Sequence, residues 1–209
     1  MSPAGQNGPL VFIVSGPSGS GKSTLVEKIL ELPGMMWSVS CTTRPPRRTE
    51  SDGKWYNFVS EAEFERMIER GEFLEHAQVF GKYRYGTPRR WLDEASAHGK
   101  DLVLEIDVQG AGQVKMKLPA AVAIFILPPS RQDLEKRIRA RGQDSDEEIK
   151  RRLERARQEL EQYRGYDYLV VNDDLARAGR EVQAIALGVR CRVDRKQAQA
   201  QEILKSFGG

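Results

Sequence analysis

The chain alternates short apolar runs with segments whose apolar residues recur every three or four positions. Leu10-Val-Phe-Ile-Val-Ser15, Leu102-Val-Leu-Glu-Ile-Asp107, Val122-Ala-Ile-Phe-Ile-Leu127 and Tyr168-Leu-Val-Val-Asn172 are nearly continuous apolar runs of strand length. That is the pattern of strands buried on both faces. Met36-Trp-Ser-Val-Ser-Cys41 alternates instead, and predicts a second strand after the first. Helical spacing fills the intervals. Leu25, Val26, Ile29 and Leu32 share one face of a helix beginning at Lys22 and ended by Pro33-Gly34. Further helices are predicted from Pro88 to near Gly99, Val108 to Leu118, Ser130 to Arg141, Ser145 to about Tyr163, and Asp174 to about Arg190. Ser145 and Glu148 have capping-box spacing, and Gly142 closes the helix before them. Five strands alternating with helices predict an α/β fold on a parallel sheet with right-handed crossovers.

One stretch breaks this rhythm. In Arg44-Pro45-Pro46-Arg47-Arg48 the prolines exclude both helix and central strand. Asp52-Gly53 signals a turn, and Trp55-Tyr-Asn-Phe-Val59 a strand. Ser60 with Glu63 opens a helix carrying Phe64, Met67 and Ile68 on one face, closed by Gly71. Phe73-Leu-Glu75 and Tyr83-Arg-Tyr85 read as short strands on either side of Gly81. Residues 40–87 therefore predict a small, partly antiparallel insertion between core segments 10–39 and 88–190. Residues 1–9 read as a disordered tail. Residues 191–209, polar apart from Ile203, Leu204 and Phe207, read as a loosely attached helix without assigned role.

Composition narrows the class. The 209 residues, 39% hydrophobic and 30% charged, suit one soluble α/β domain with a sizeable core. No apolar run approaches the ~20 residues of a membrane span. The first nine residues lack the basic and apolar regions of a signal peptide. Cys41 and Cys191 lie far apart without metal-ligand spacing, which fits reduced thiols and a cytoplasmic location. A net charge of +3 is too small to argue for nucleic acid, and no basic stripe with interleaved aromatics occurs.

Candidate chemistry starts at Gly16-Pro17-Ser18-Gly19-Ser20-Gly21-Lys22-Ser23-Thr24, which fits G-x-x-x-x-G-K-[ST] between a predicted strand and helix. Such a loop turns backbone N–H groups toward one point, where a helix start adds positive potential. Lys22 can reach outer phosphates and Ser23 can bind Mg²⁺, so the stretch predicts binding of a nucleoside triphosphate. Arg44, Arg47, Arg48 and Tyr56 offer donors suited to a phosphate dianion, although such a segment alone is more often a solvated loop. Glu75 and Glu105 could accept from the adjacent N1–H and amino donors of guanine, or be edge glutamates. Asp107, at the carboxyl end of a strand, would face the phosphate loop and could hold Mg²⁺ directly or through water. Arg137 and Arg141 share a helix face, and Arg152 lies on the next helix. The pair makes either an arginine-bearing lid or an ordinary charged hairpin. No Ser-His-Asp or Cys-His arrangement is evident.

Taken together, the motifs resemble the guanylate kinase family, which moves phosphate from ATP to GMP. They are the loop at 16–24, Ser-Val-Ser-Cys-Thr-Thr-Arg-Pro-Pro-Arg (38–47) and Gly-Lys-Trp-Tyr-Asn-Phe-Val-Ser (53–60). To these add Gly-Glu-Phe-Leu-Glu-His-Ala (71–77), Tyr-Gly-Thr (85–87), Glu-Ile-Asp-Val-Gln-Gly (105–110) and Val-Asn-Asp-Asp-Leu (171–175). The resemblance runs from about Leu10 to Arg190. It implies a P-loop NTPase-type five-stranded parallel sheet flanked by helices, a small mixed GMP-binding insertion at 40–87, and a helical lid at about 134–157. It implies that residues 16–24 and Asn172 bind ATP. It likewise implies that Ser40, Arg44, Arg47, Tyr56 and Tyr85 hold the GMP phosphate, Tyr85 rather than Tyr83 because Gly86-Thr87 follows. Glu75, Thr87 and Glu105 would read guanine with Gly86 beside them, and Ser23 and Asp107 would serve Mg²⁺. Lys22, Arg137, Arg141 and Arg152 would surround the transferred phosphoryl group during direct in-line transfer. No residue reads the ribose, so dGMP is an expected second acceptor. The implied partners are the two nucleotides, with neither nucleic acid nor membrane, and the implied assembly is a monomer or small homo-oligomer. The rival readings are a kinase of another mononucleotide or small phosphorylated metabolite, and a scaffold module that binds phosphopeptides without phosphoryl transfer.

Overall fold

The structure, a computed structural model, describes residues 8–46, 51–79, 83–140 and 145–208. Strand β1 (Val11–Ser15) leads through the glycine loop into helix α1 (Lys22–Leu30), and β2 (Met35–Trp37) follows. A second sheet collects β3 (Ser40–Thr42), β4 (Tyr56–Phe58), β5 (Phe73–Val79) and β6 (Tyr83–Pro88), with α2 (Glu61–Glu69) between β4 and β5. The chain returns through α3 (Arg90–Ala97), β7 (Asp101–Glu105), α4 (Val108–Lys117) and β8 (Val122–Leu127). Helices α5 (Arg131–Ala140) and α6 (Asp146–Leu160), a short 3₁₀ turn (Glu161–Gly165), β9 (Tyr168–Val171), α7 (Leu175–Arg190) and α8 (Val193–Ser206) complete it.

The main sheet has the order β2-β7-β1-β8-β9, and every pair in it is parallel. This is the five-stranded sheet that the apolar runs predict. Side chains alternate across β1 and feed two cores. Phe12 and Val14 pack with Leu25, Ile29, Val182 and Ala186 from α1 and α7. Val11 and Ile13 pack on the other face with Ala95, Ala111 and Val114 from α3 and α4. Two covered faces explain why the strand sequences are apolar throughout. Because the strands are parallel, Ser15, Glu105, Leu127 and Val171 all end at one edge, where ligands of open α/β sheets gather.

The second sheet, β4-β3-β6-β5, is mixed: β3 pairs in parallel with β4 and antiparallel with β6, which pairs antiparallel with β5. One expectation changes here. The single strand predicted at Met36–Cys41 is two strands, one in each sheet. Ser38 N–H still bonds to the Val103 carbonyl at 3.0 Å, continuing the parallel ladder. The Val39 carbonyl then accepts from Trp91 Nε1 at 3.0 Å and Asn57 Nδ2 at 3.3 Å. Side chains thus satisfy the backbone where the ladder stops, and the chain crosses to the other sheet. Helix α4 ties the sheets together: Gln113 bonds both backbone groups of His76, and Lys117 Nζ donates to the Leu74 carbonyl at 2.6 Å. The helix predicted from Pro88 begins at Arg90 instead, because Pro88 is still paired with Phe73.

Capping follows the sequence closely. Ser145 and Glu148 form the reciprocal box, Ser60 accepts from Glu63 N–H, and Asp174 accepts from Arg177 N–H. Leu134, Ile138, Ile149, Leu153 and Ala156 close a separate small core between α5 and α6. No helix among the described residues is long and apolar enough to cross a membrane.

Candidate active site

The loop after β1 is shaped by contacts that exclude side chains. Gly16 has φ +140°, and a Cβ there would lie 2.4 Å from the Ile126 carbonyl oxygen. Only glycine fits that approach. Ser20 N–H bonds to the Pro17 carbonyl at 3.1 Å, and Ser20 is buried. Lys22 Nζ folds back onto the Gly16 and Pro17 carbonyls at 2.8 and 3.1 Å. Behind the loop, the buried Asn172 donates from Nδ2 to the Ser20 carbonyl at 2.8 Å. Arg137 Nη2 donates to the Asn172 carbonyl at 2.7 Å, while Nη1 reaches the Ser20 carbonyl at 3.4 Å. Asn172 and Arg137 therefore brace the loop from outside the cleft that it borders. Leu134 and Ile138 pack against Gly19, so helix α5 is part of the same brace.

That cleft has a volume of about 360 Å³. Its loop side is lined by Gly16, Ser18, Gly19, Gly21, Lys22, Ser23 and Thr24. Its far side is lined by Ser40, Tyr56, Glu75 and Tyr85 from the second sheet and by Arg44 just after β3. The residues expected to serve two substrates thus share one space. Arg44 Nε donates to the Tyr85 hydroxyl at 3.2 Å, and the Tyr56 and Tyr85 rings meet edge to face at 5.5 Å. The Arg44 guanidinium lies 5.6 Å from the centre of the Tyr56 ring. Arg44, Tyr56 and Tyr85 are brought together, whereas Tyr83 is not part of the lining. Arg47, Arg48 and Arg141 lie outside the described residues.

Glu75 anchors the far end. It is 3% exposed, and its Oε1 accepts from Thr87 Oγ1 at 2.6 Å. Thr87 Oγ1 lies 3.2 Å from Ser40 Oγ, so three residues from three strands form one buried network. Burial pushes the Glu75 carboxyl up to about 7, against the Thr87 hydrogen bond, and the negative charge of Asp107 adds to the rise. Gly110 makes room for it: a Cβ there would sit 2.5 Å from Glu75 Oε2. Gly86 serves packing, since its missing side chain faces Phe73 and Phe64.

The two carboxylates at the end of β7 part company. Glu105 Oε1 accepts from Ser23 Oγ at 2.8 Å, on the phosphate-loop side. Asp107 Oδ1 caps α4 by accepting from Gly110 N–H at 2.9 Å, and its charge is felt by Glu75. The sequence expectation gave Glu105 to guanine and Asp107 to Mg²⁺, whereas here it is Glu105 that meets Ser23 and Asp107 whose charge reaches Glu75. Sequence reasoning also missed two cleft residues, Arg155 and Glu159, which line the space beside Arg152. Their i, i+3, i+7 spacing puts all three on one face of α6, but an evenly charged helix hides that face.

Among the described residues no three His, Cys, Asp or Glu side chains cluster as a metal cage. The adjacent Ser23 hydroxyl and Glu105 carboxylate nevertheless suit a hard cation that keeps water and substrate phosphates as its other ligands.

Known proteins resemble this chain in sequence and fold. The family model described as Guanylate kinase matches residues 9–187. A guanylate kinase of Symbiobacterium thermophilum is 48% identical over 200 residues, covering 95% of this chain and 94% of its own. One from Photobacterium profundum is 46% identical, covering 94% and 96%. The crystal structure of guanylate kinase from Anaplasma phagocytophilum superposes with a TM-score of 0.75 at 34% identity, covering 91% of this chain and 90% of that one. With sequence and fold in agreement over nearly its whole length, the chain belongs to the guanylate kinase family.

Proposed function

We propose that this chain transfers the γ-phosphoryl group of ATP to GMP, giving ADP and GDP, with dGMP as a second acceptor. One observation carries the reading: a phosphate loop and the buried Ser40–Thr87–Glu75 network face each other across one cleft. Phosphoryl transfer asks the protein for positioning and charge more than for covalent chemistry. The loop N–H groups and Lys22 hold the ATP phosphates, and Lys22 exchanges its two carbonyl partners for phosphate oxygens. Arg152 faces the transferred group from the lid, and Arg141 is a further donor to it. Arg44, Tyr56 and Tyr85 hold the GMP phosphate, with Arg47 as a further donor, and orient it for in-line attack on the γ-phosphorus.

Glu75 reads guanine, because N1–H and the amino group of that base form a donor pair that adenine lacks. Its closeness to Asp107 supports placing both carboxylates at the base, with Thr87 and Ser40 fixing the Glu75 orientation. The Ser23–Glu105 contact supports giving Mg²⁺ to that pair, exchanging the roles expected of Glu105 and Asp107. The ion, when bound, neutralises charge developing on the phosphates. Asn172 and Arg137 keep the loop in shape. The core 10–39 and 88–190, the insertion 40–87 and the lid 134–157 act as three bodies that close on the substrates and exclude water. A cytoplasmic site of action fits two thiols without a disulfide partner and the intracellular nucleotides used.

The test is ADP formation from MgATP with GMP, AMP, CMP or UMP at matched concentrations. Turnover with GMP alone is expected. Equal turnover on another nucleotide would remove the guanine assignment, and none on any would remove the enzyme.

A further inference from the structure

Arg155 lies where the two halves of the cleft meet. Its Nε donates to Glu159 Oε1 at 2.8 Å, one helical turn along α6, and its Nη2 lies 3.5 Å from Asp107 Oδ2 on the core. All three side chains are largely covered, at 22% exposed for Arg155, 22% for Asp107 and 12% for Glu159. Asp107 Oδ1 is committed to the α4 cap, so Oδ2 is the oxygen that Arg155 meets. The electrostatics extend the line in both directions. Glu159 feels the positive charge of Lys22, which opposes the rise that burial imposes on its carboxyl. Asp107, at the other end, acts on Glu75. Charges therefore alternate from Lys22 through Glu159 and Arg155 to Asp107, which borders the Glu75 carboxyl.

We propose that Arg155 is a positioning residue that couples acceptor occupancy to the lid, by competing with the acceptor base for Asp107 Oδ2. The inference rests on the reading of GMP as acceptor. Guanine brings two N–H donors to the carboxylates at its pocket. A donor that takes Oδ2 displaces a guanidinium contact already at the long end of hydrogen-bond range. Arg155 then keeps Glu159 and loses its hold on Asp107, so α6 and the Arg152 it carries are released from the acceptor side when GMP is in place. With the pocket empty, the same contact ties α6 to the core at Asp107.

Steady-state kinetics of two variants of the full chain test this. Arg155→Gln removes the competing charge, while its amide can still donate to Glu159. It should lower the KM for GMP about 5-fold, the fold-change of ~1 kcal/mol for a partly exposed ion pair, with kcat within about 2-fold. Glu159→Gln removes the anchor and shifts Arg155 toward Asp107, so the KM for GMP should rise about 5-fold. A merely structural role would move both KM values the same way. Opposite shifts support the coupling, and shifts of equal sign, or none beyond about 2-fold, overturn it. If Arg155→Gln fails to give the wild-type circular dichroism spectrum, Glu159→Gln decides alone, since an unchanged or lowered KM excludes the competition. A wild-type enzyme inactive on GMP would overturn the acceptor reading itself, whereas an active one without the opposite shifts overturns only the coupling.

Discussion

The two ends of the cleft are built in contrasting ways. The phosphate-loop end is made of consecutive residues, with backbone groups aimed by glycine geometry and braced by the buried Asn172 and by Arg137. The acceptor end is made of side chains far apart in sequence. Ser40, Glu75 and Thr87 meet there, and Gly110 of another element leaves the space that Glu75 fills. The first end binds charge that every nucleoside triphosphate shares. The second holds a nearly buried carboxylate whose ionisation is costly, and that cost is justified only where a specific donor pair arrives. On the proposed reading, generic affinity comes from local backbone, and discrimination from long-range side-chain assembly.

Two perturbations separate the ends. The larger is Lys22→Met, which removes the mobile cation of the loop and leaves the acceptor network untouched. It should lower kcat by about 10²–10³, the scale of one transition-state donor, with the KM for GMP within about 2-fold. Steady-state kinetics in both substrates check it. An equal rise in KM for GMP would show that the ends are not separable.

The smaller perturbation is pH acting on Glu75. Its folded-state carboxyl, pushed up to about 7 from 4.5, binds a proton more tightly than in the unfolded chain. Its contribution to stability is therefore fully present below about pH 4.5 and is lost as pH rises through about 7. The loss approaches about 3 kcal/mol at 1.36 kcal/mol per unit. Glu75→Gln should abolish this component, so its unfolding free energy should gain on wild type as pH rises over that window. Urea titrations at pH 5 and pH 8 measure the difference. A wild-type-minus-variant gap that does not change with pH would show Glu75 ionising as an exposed glutamate does.

How legible the molecule was in its sequence follows the same division. The loop, its flanking β1 and α1, and the caps at Ser145 and Asp174 are local patterns, and each formed where the spacing predicts. The strand split at Val39 was hidden, because it depends on the Trp91 and Asn57 side chains arriving from elsewhere to satisfy one carbonyl. The separation of Glu105 from Asp107 was hidden too. Two positions along a strand share a face, yet β7 ends at Glu105 and Asp107 turns away to cap α4. Arg155 and Glu159 looked like members of an ordinary solvated helix until α6 was seen lying along the cleft. Motif resemblance could still name Glu75 and Thr87, but not the buried network that joins them.

The central claim is that a buried carboxylate at the acceptor end reads guanine. The most direct test is the ratio of kcat/KM for GMP over AMP in wild type and in Glu75→Gln. The account predicts a fall in the GMP value of about 10–100-fold, the worth of a charge-assisted hydrogen bond, and a smaller GMP-to-AMP ratio. An undiminished ratio in a correctly folded variant would contradict it.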